Sequence, residues 1–233
     1  MKNDSKEFQE YATKHKGISS LNLHHFNAHA MNNMMKPMNM TPYIMEERQL
    51  NVAQIDVFSR LMCDRIIWML GEVEEVGSAI IQAQLMYLKS VDGKKAISIH
   101  IDSPGGDIVS GFKILDIMEY IECDIHTINT GMAASMASII LAAGKKGKRS
   151  SLKHSRTMLH QSSGGAVGNI QDARIMMEEW EKYNRDLFEL LGKYCGKSDK
   201  KVMEDASRDK WMSAQEAKDY GIIDSFIGEK IKK

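Results

Sequence analysis

Thr130-Gly-Met-Ala-Ala-Ser135-Met-Ala-Ser-Ile-Ile-Leu-Ala-Ala-Gly144 is the stretch around which the rest of the chain is organised. It reads as a β-like segment, Ile125 to Asn129, that passes through a glycine into a small, apolar, serine-bearing helix. A serine at such a start has its Oγ beside backbone N–H groups that lack intrahelical acceptors, and beside the positive end of the helix dipole, so negative charge is favoured there. The competing reading is plain: a small residue that packs a helix against a sheet, as serines on small-residue helices commonly do.

The flanking pattern places this stretch in an alternating frame. Ala96 to Asp102 alternates strictly, with Ile97, Ile99 and Ile101 on one face and Ser98, His100 and Asp102 on the other. The tight turn Ser103-Pro-Gly-Gly106 follows, then a helix from about Ile108 to Ile121. Upstream, Ile55 to Met62 suggests a short amphipathic helix and Arg65 to Leu70 a strand closed by Gly71. Glu74 to Ser90 carries apolar residues at helical spacing and ends at Asp92-Gly93. Downstream come a strand-like Arg156 to Leu159, a glycine-rich GGAVGN, and a long helix from about Ile170 to Leu191. A helical stretch from Ser213 to Tyr220 ends at Gly221, and a strand from Ile222 to Ile227 closes the chain. Strands and helices alternating at this spacing predict βαβ units with right-handed crossovers, an α/β fold.

Composition narrows the function classes. The 233 residues are 43% hydrophobic and 27% charged, ordinary for a globular protein, and long enough to bury a full core. A formal net charge of +0 offers nothing to nucleic acid or to an anionic membrane surface. The most apolar run, Ile139 to Ala143, is far short of the roughly 20 residues that span a bilayer. Cys63, Cys123 and Cys195 form no CxxC, which argues against a thiolate metal site and a disulfide framework and for a reducing cytoplasm. Residues 1–39 differ from the rest: Asn22 to Met40 is rich in Asn, His and Met without period, and reads as a poorly ordered leader or propeptide. Its histidines His24, His25 and His29 have no cysteine or acidic cluster beside them, so no metal is assigned.

For Ser135 to attack an acyl group it needs a base, an orienter for that base, and an oxyanion hole. Gly105-Gly106 after a strand end lets backbone N–H groups approach a substrate, and the N–H of Met136 is the natural second donor. The motif is GMAAS and not GxSxG, so it is not the nucleophile elbow of the α/β-hydrolases. Periodicity leaves the base open among His160, His126, His154 and His100. It also leaves the acid open among Asp172, Asp186, Asp199, Asp205, Asp209, Asp219 and Asp224.

Five collinear stretches carry a resemblance that decides among them. They are FSRL at Phe58 to Leu61, IDSPGG at Ile101 to Gly106, GMAASMAS at Gly131 to Ser138, KGKRSSLKHSRTMLHQ at Lys146 to Gln161, and SRDKWMSAQEAKDYGIID at Ser207 to Asp224. From about Pro42 to Ile227 the chain resembles the proteolytic subunits of the Clp protease family, which are serine peptidases. The resemblance implies Ser135 as nucleophile, His160 as base, Asp209 as orienting acid, and the N–H groups of Gly106 and Met136 as oxyanion donors. It implies a crotonase-like spiral of ββα units, and a peptidase domain over residues 40–233. Within that domain, 40–56 would be an axial segment at the entry pore, with maturation close to Met40, and 160–195 a protruding strand–helix handle that includes Gly164, Gly165 and Gly168. It further implies two stacked heptameric rings fed with unfolded proteins by a hexameric AAA+ unfoldase ATPase of the ClpX, ClpA or ClpC type, with no metal or other cofactor in the subunit.

Three positions depart from the family pattern. Ser162 stands where most relatives have proline, Ser207 where an acidic residue usually precedes the arginine, and His100 with Ser98 where aromatic residues usually line the pocket for the ATPase's docking loop. These departures also fit a divergent, weakly active or regulatory paralogue in a mixed ring. An acyl-CoA enzyme of the same spiral fold is a further alternative, but it has no need of the Ser135, His160 and Asp209 set.

Overall fold

The computed structural model describes residues 43–48, 51–163 and 169–227; the expected leader over 1–39 and the handle glycines Gly164, Gly165 and Gly168 lie outside the described residues. The chain divides into two compact units, with the boundary between Val57 and Phe58. In the first, β1 (Tyr43–Arg48) and β2 (Asn51–Asp56) pair antiparallel, Tyr43 opposite Asp56 and Arg48 opposite Asn51. The helix expected from Ile55 therefore starts later, as α1 (Val57–Cys63), because Ile55 and Asp56 are held in the β2 ladder.

The second unit is built on a mostly parallel sheet. β3 (Ile66–Leu70), β4 (Ile97–Ser103), β5 (Ile125–Ala134), β6 (Arg149–Leu152) and β9 (Ser225–Ile227) lie side by side in that order, all parallel. Crossovers α2 (Glu75–Val91), α3 (Ile108–Tyr120) and α4 (Met136–Ala142) connect the first four. The alternation of β4 is observed as read: Ile97, Ile99 and Ile101 are each 0% exposed, in one core with Leu85 and Leu88 of α2 and Ile114 and Leu115 of α3. Burying each such side chain contributes about 1.5–3 kcal/mol. The loop from α2 into β4 is held from below by Arg65, which sits at φ 64 and donates to the carbonyls of Leu88, Asp92, Lys95 and Ala96 over 2.8–3.0 Å.

β5 departs most from expectation. It does not stop at Asn129 but runs on through Gly131 to Ala134, because its two halves have different partners. Thr127 to Asn129 pairs with β6, whereas Met132 to Ala134 pairs with β7 (Arg156–Leu159), itself paired antiparallel with β8 (Lys210–Ser213). The sheet thus forks at Gly131. A Cβ there would lie 2.5 Å from the Asp102 carboxylate, which accepts the Met132 N–H at 2.9 Å. Without β-branched residues or alternation, GMAA carries no strand signal of its own.

β6, absent from the periodicity, is fixed by charge. Arg149 is 3% exposed; its guanidinium lies 2.7 Å and 3.0 Å from the two oxygens of Asp224 and donates to the carbonyls of Ala142 and Tyr194. Asp224 also accepts the N–H groups of Gly147 and Arg149. Burial raises the Asp224 pKa, but these donors outweigh it and hold the carboxyl below the usual carboxylate range. Asp224→Ala leaves the guanidinium buried without its counter-charge and is expected to cost about 3 kcal/mol at pH 7. The Asp224 contribution is present above the unfolded-state pKa of about 3.9 and lost as pH falls, so the gap between variant and parent should narrow below about pH 4. Urea denaturation of both chains across pH checks this; a gap that is constant with pH would contradict it.

After β7 the chain reaches α5 (Ile170–Cys195), capped by the Asn169 side chain and ended by Gly196 at φ 68. It is four residues longer than expected. Only Leu187, Phe188, Leu191 and Gly192, near its C-terminal end, are buried, while Ile170, Ile175, Met176 and Met177 are exposed. α6 (Asp199–Asp205) and α7 (Ala214–Tyr220) flank β8; the Ser213–Glu216 capping box starts α7 and Gly221 ends it. The closing strand begins at Ser225, since Ile222 and Ile223 are buried in the turn after α7. Among the described residues no helix is long and apolar enough to cross a membrane.

Candidate active site

Ser135 occupies the junction between β5 and α4, in a backbone conformation that side chains seldom adopt, φ 54 and ψ −127. Such a conformation costs on the order of 1–3 kcal/mol and persists only where the surroundings impose it. Here β7 imposes it from one side, because the Ser135 N–H donates to the Met158 carbonyl at 2.9 Å. From the other side Ser138 donates to the Ser135 carbonyl twice, through its N–H at 2.9 Å and its hydroxyl at 2.6 Å. The Ser135 hydroxyl makes no capping bond to α4, although it stands at the capping position. It lies instead 2.8 Å from Nε2 of His160. The sharp strand-to-helix turn is thus present without the GxSxG motif.

His160 is placed by β7, of which Leu159 pairs with Lys210 of β8, and by the next residue, whose N–H donates to the Ala206 carbonyl at 2.9 Å. Its Nδ1 faces Asp209 Oδ1 at 3.5 Å, and the Asp209 side chain is 64% exposed. A contact of this length is common in a free enzyme and tightens when substrate excludes water. The other histidines lie elsewhere. His154 is exposed in a turn. His126 is half-buried in β5, and burial pulls its pKa down. His100 stacks on Trp68 with ring centroids 4.8 Å apart; its Nδ1 and the Trp68 Nε1 are buried without partners among the described residues. Burial lowers the His100 pKa as well.

The alternative carboxylates have other partners. Asp224 is paired with Arg149, Asp219 accepts from Gln215 and Asp172 from Asn169, while Asp186 and Asp199 face solvent. Asp205 is 11% exposed and meets Lys210 Nζ at 2.9 Å, Lys201 Nζ at 3.3 Å and the Tyr220 hydroxyl at 3.2 Å. That cluster has a supporting role the sequence reading missed. Lys210 adjoins Asp209, and Ala206, whose carbonyl holds Gln161, adjoins Asp205. The ion pairs therefore tie down both segments that bring His160 and Asp209 together. Only Lys201 and Asp205 share a local spacing, i,i+4 in α6; Lys210 and Tyr220 reach the same carboxylate from β8 and α7.

Gly105 and Gly106 adopt φ 91 and φ 152, Gly105 packed against the serine turn and Gly106 against Val73. A Cβ on Gly105 would lie 2.6 Å from the Ala134 carbonyl and 2.7 Å from the Ser135 Cβ; one on Gly106 would lie 2.4 Å from the Val73 carbonyl. Val73 bonds to the Gly105 carbonyl and the Asp107 N–H, each at 2.8 Å, and that bridge leaves the Gly106 N–H without an acceptor among the described residues. The Met136 N–H, in the first turn of α4, has no intrahelical acceptor. Gly106 and Met136 line one cleft together with Ser135 and His160. Its further walls are Ile139, Leu159, Leu187, Phe188 and Leu191, and Ser162, Ser163 and Asn184 also border it. The Ser162 N–H and hydroxyl lie 3.1 Å and 2.9 Å from Asn184 Oδ1.

A histidine-paired serine on a strained strand–helix turn, beside the backbone N–H groups of Gly106 and Met136, is the equipment of a serine hydrolase. The chain belongs to the Clp protease family, a family of serine-type peptidases, whose model matches residues 48–230 under the description Clp protease. It is similar to the ATP-dependent Clp protease proteolytic subunit of Bacteroides fragilis (strain YCH46), with 49% identity over 226 residues that make up 96% of this chain and 99% of that protein. The protein of the same description from Porphyromonas gingivalis is 47% identical over 229 residues, 97% of this chain and 99% of the relative. ATP-dependent Clp protease proteolytic subunit 1 of Shouchella clausii is 43% identical over 186 residues, 80% and 96% of the two.

Proposed function

We propose that this chain is the proteolytic subunit of an ATP-dependent Clp protease, an endopeptidase that cuts unfolded proteins through an acyl-enzyme on Ser135. The observation that carries this reading is the uncapped Ser135 hydroxyl at 2.8 Å from His160 Nε2. In the cycle, His160 Nε2 takes the hydroxyl proton as Oγ attacks the scissile carbonyl carbon. The oxyanion forms against the N–H groups of Gly106 and Met136, and donors of this kind contribute about 3–4 kcal/mol each. Asp209 keeps Nδ1 protonated and stabilises the imidazolium. His160 then passes the proton to the leaving amine. A water, deprotonated by His160, attacks the acyl-enzyme, and collapse of the second tetrahedral intermediate returns Ser135 and releases the new carboxyl terminus.

The printed description of the relatives, an ATP-dependent proteolytic subunit, supports an ATPase partner. We assign that partner to the AAA+ unfoldases of the ClpX, ClpA or ClpC type, acting on a chamber of two stacked heptameric rings in the cytoplasm. Three free thiols fit that compartment. The exposed apolar half of α5 fits burial between subunits as the 160–195 handle. Residues 40–233 then form the working peptidase, with 40–56 as its axial segment. Ser207, beside Arg208, and the Trp68–His100 pair would tune ring contacts and ATPase docking.

A fluorophosphonate probe tests the reading: stoichiometric labelling of the purified chain is expected to stop its hydrolysis of short fluorogenic peptides. A chain that neither hydrolyses them nor takes the label would be the regulatory paralogue instead.

A further inference from the structure

We propose that Asn184 determines substrate preference, its side-chain amide donating to an acceptor at the end of the substrate side chain that fills the cleft beside Ser135. The inference rests on the peptidase reading above. Its basis is the orientation of one amide. The Ser162 backbone N–H can only donate, and it meets the Asn184 side chain at 3.1 Å, so the atom it meets is the carbonyl oxygen. The Ser162 hydroxyl lies 2.9 Å from the same oxygen. With Oδ1 occupied twice, the Nδ2 group is left, and among the described residues nothing accepts from it; the bonds to Asn184 Oδ1 are the only side-chain bonds Asn184 makes there.

The setting gives that donor its weight. Asn184 lines a cleft of about 70 Å³ whose walls are largely apolar, Ile139, Leu159, Leu187, Phe188 and Leu191. The other hydroxyls near it are largely committed: Ser138 donates to the Ser135 carbonyl and Ser162 faces Asn184, while Ser163 stands beside Ser162 on the rim. A substrate carbonyl whose oxygen enters between Gly106 and Met136 brings the side chain of that same residue into this cleft. An apolar stem then packs on the leucines and Phe188, and a terminal carbonyl oxygen meets Nδ2. Glutamine has that shape. Methionine has nearly the same length without the strong acceptor. A site with a donor left unpaired by the wrong substrate discriminates against it.

The test uses the full chain and two fluorogenic peptides that differ only in glutamine or methionine before the cut bond. Asn184→Leu removes donor and acceptor together. Asn184→Asp keeps an acceptor for the Ser162 N–H and hydroxyl while removing the donor, so it separates recognition from the latch. In both variants the glutamine-to-methionine ratio of kcat/KM is expected to fall about tenfold, as loss of one hydrogen bond in a desolvated site implies. An unchanged ratio in Asn184→Asp overturns the proposal and leaves Asn184 as a structural tie between α5 and the residues after His160. Fluorophosphonate labelling of each chain keeps the two readings apart. Failure to label the unaltered chain removes the peptidase reading, whereas normal labelling with an unchanged ratio removes only the role of Asn184.

Discussion

Ser135→Ala is expected to reduce turnover of short fluorogenic peptides by about 10⁴-fold or more, the scale lost when the nucleophile of a serine–histidine pair is removed. The loss should fall on kcat, since cleft walls such as Leu187 and Phe188 and the donors of Gly106 and Met136 stay in place. Stability should change by less than about 1 kcal/mol, because the hydroxyl caps no helix and its one bond among the described residues is to a half-buried imidazole. Alanine also keeps the Cβ that the φ 54 conformation already tolerates, so the turn itself is not relieved. Initial rates together with urea denaturation read the two parts. Turnover within tenfold of the unaltered chain would mean that another residue carries the chemistry.

Gly105→Ala is expected to damage both activity and fold, for a different reason. At φ 91 any Cβ is strained, and this one would lie 2.6 Å from the Ala134 carbonyl, 2.7 Å from the Ser135 Cβ and 3.0 Å from the Met136 nitrogen. Two of those three atoms belong to the backbone, which cannot rotate out of the way. The serine turn must therefore shift relative to His160 and the oxyanion donors. Misplacing one such donor alone costs about 10²–10³ in kcat, and the same overlap should lower stability by about 2 kcal/mol. Gly77→Ala serves as the control, since its Cβ would meet only the Glu74 side chain at 3.8 Å. Equal rates in Gly105→Ala and Gly77→Ala would show that the glycine pair does not shape the site.

What could be read from the chain beforehand was what is local. The strict alternation at Ile97, Ile99 and Ile101 announced the central strand, and Ser103-Pro-Gly-Gly106 announced a tight backbone turn, because side-chain period and positive φ leave marks on residue type. The helix α2 carried its own spacing and its Asp92-Gly93 terminator, and α7 its terminator Gly221. The rest depended on partners distant in sequence. The second half of β5 is a strand because β7 lies against it, and β6 is fixed by Asp224, 75 residues further on. The strain at Ser135 comes from Met158 and Ser138, not from its own neighbours' propensities. His160 could not be told from His100 or His126 by pattern, and Asp209 could not be told from six other aspartates. An exposed acid meeting a histidine 49 positions away obeys no period, so only the collinear motif matches separated it. Asn184 left no mark at all, and Asp205 stood only as one aspartate among seven, since the contacts of both with Ser162, Lys210 and Tyr220 form only after the chain has folded.

In the proposed mechanism His160 activates Ser135. The direct measurement is the rate of fluorophosphonate labelling, with the adduct mapped by peptide mass spectrometry, in the unaltered chain and in His160→Ala. A single adduct on the peptide containing Ser135 is expected, with a rate that falls about 100-fold or more without the histidine. Labelling at another serine, or at Ser135 with the same rate in both chains, would contradict it.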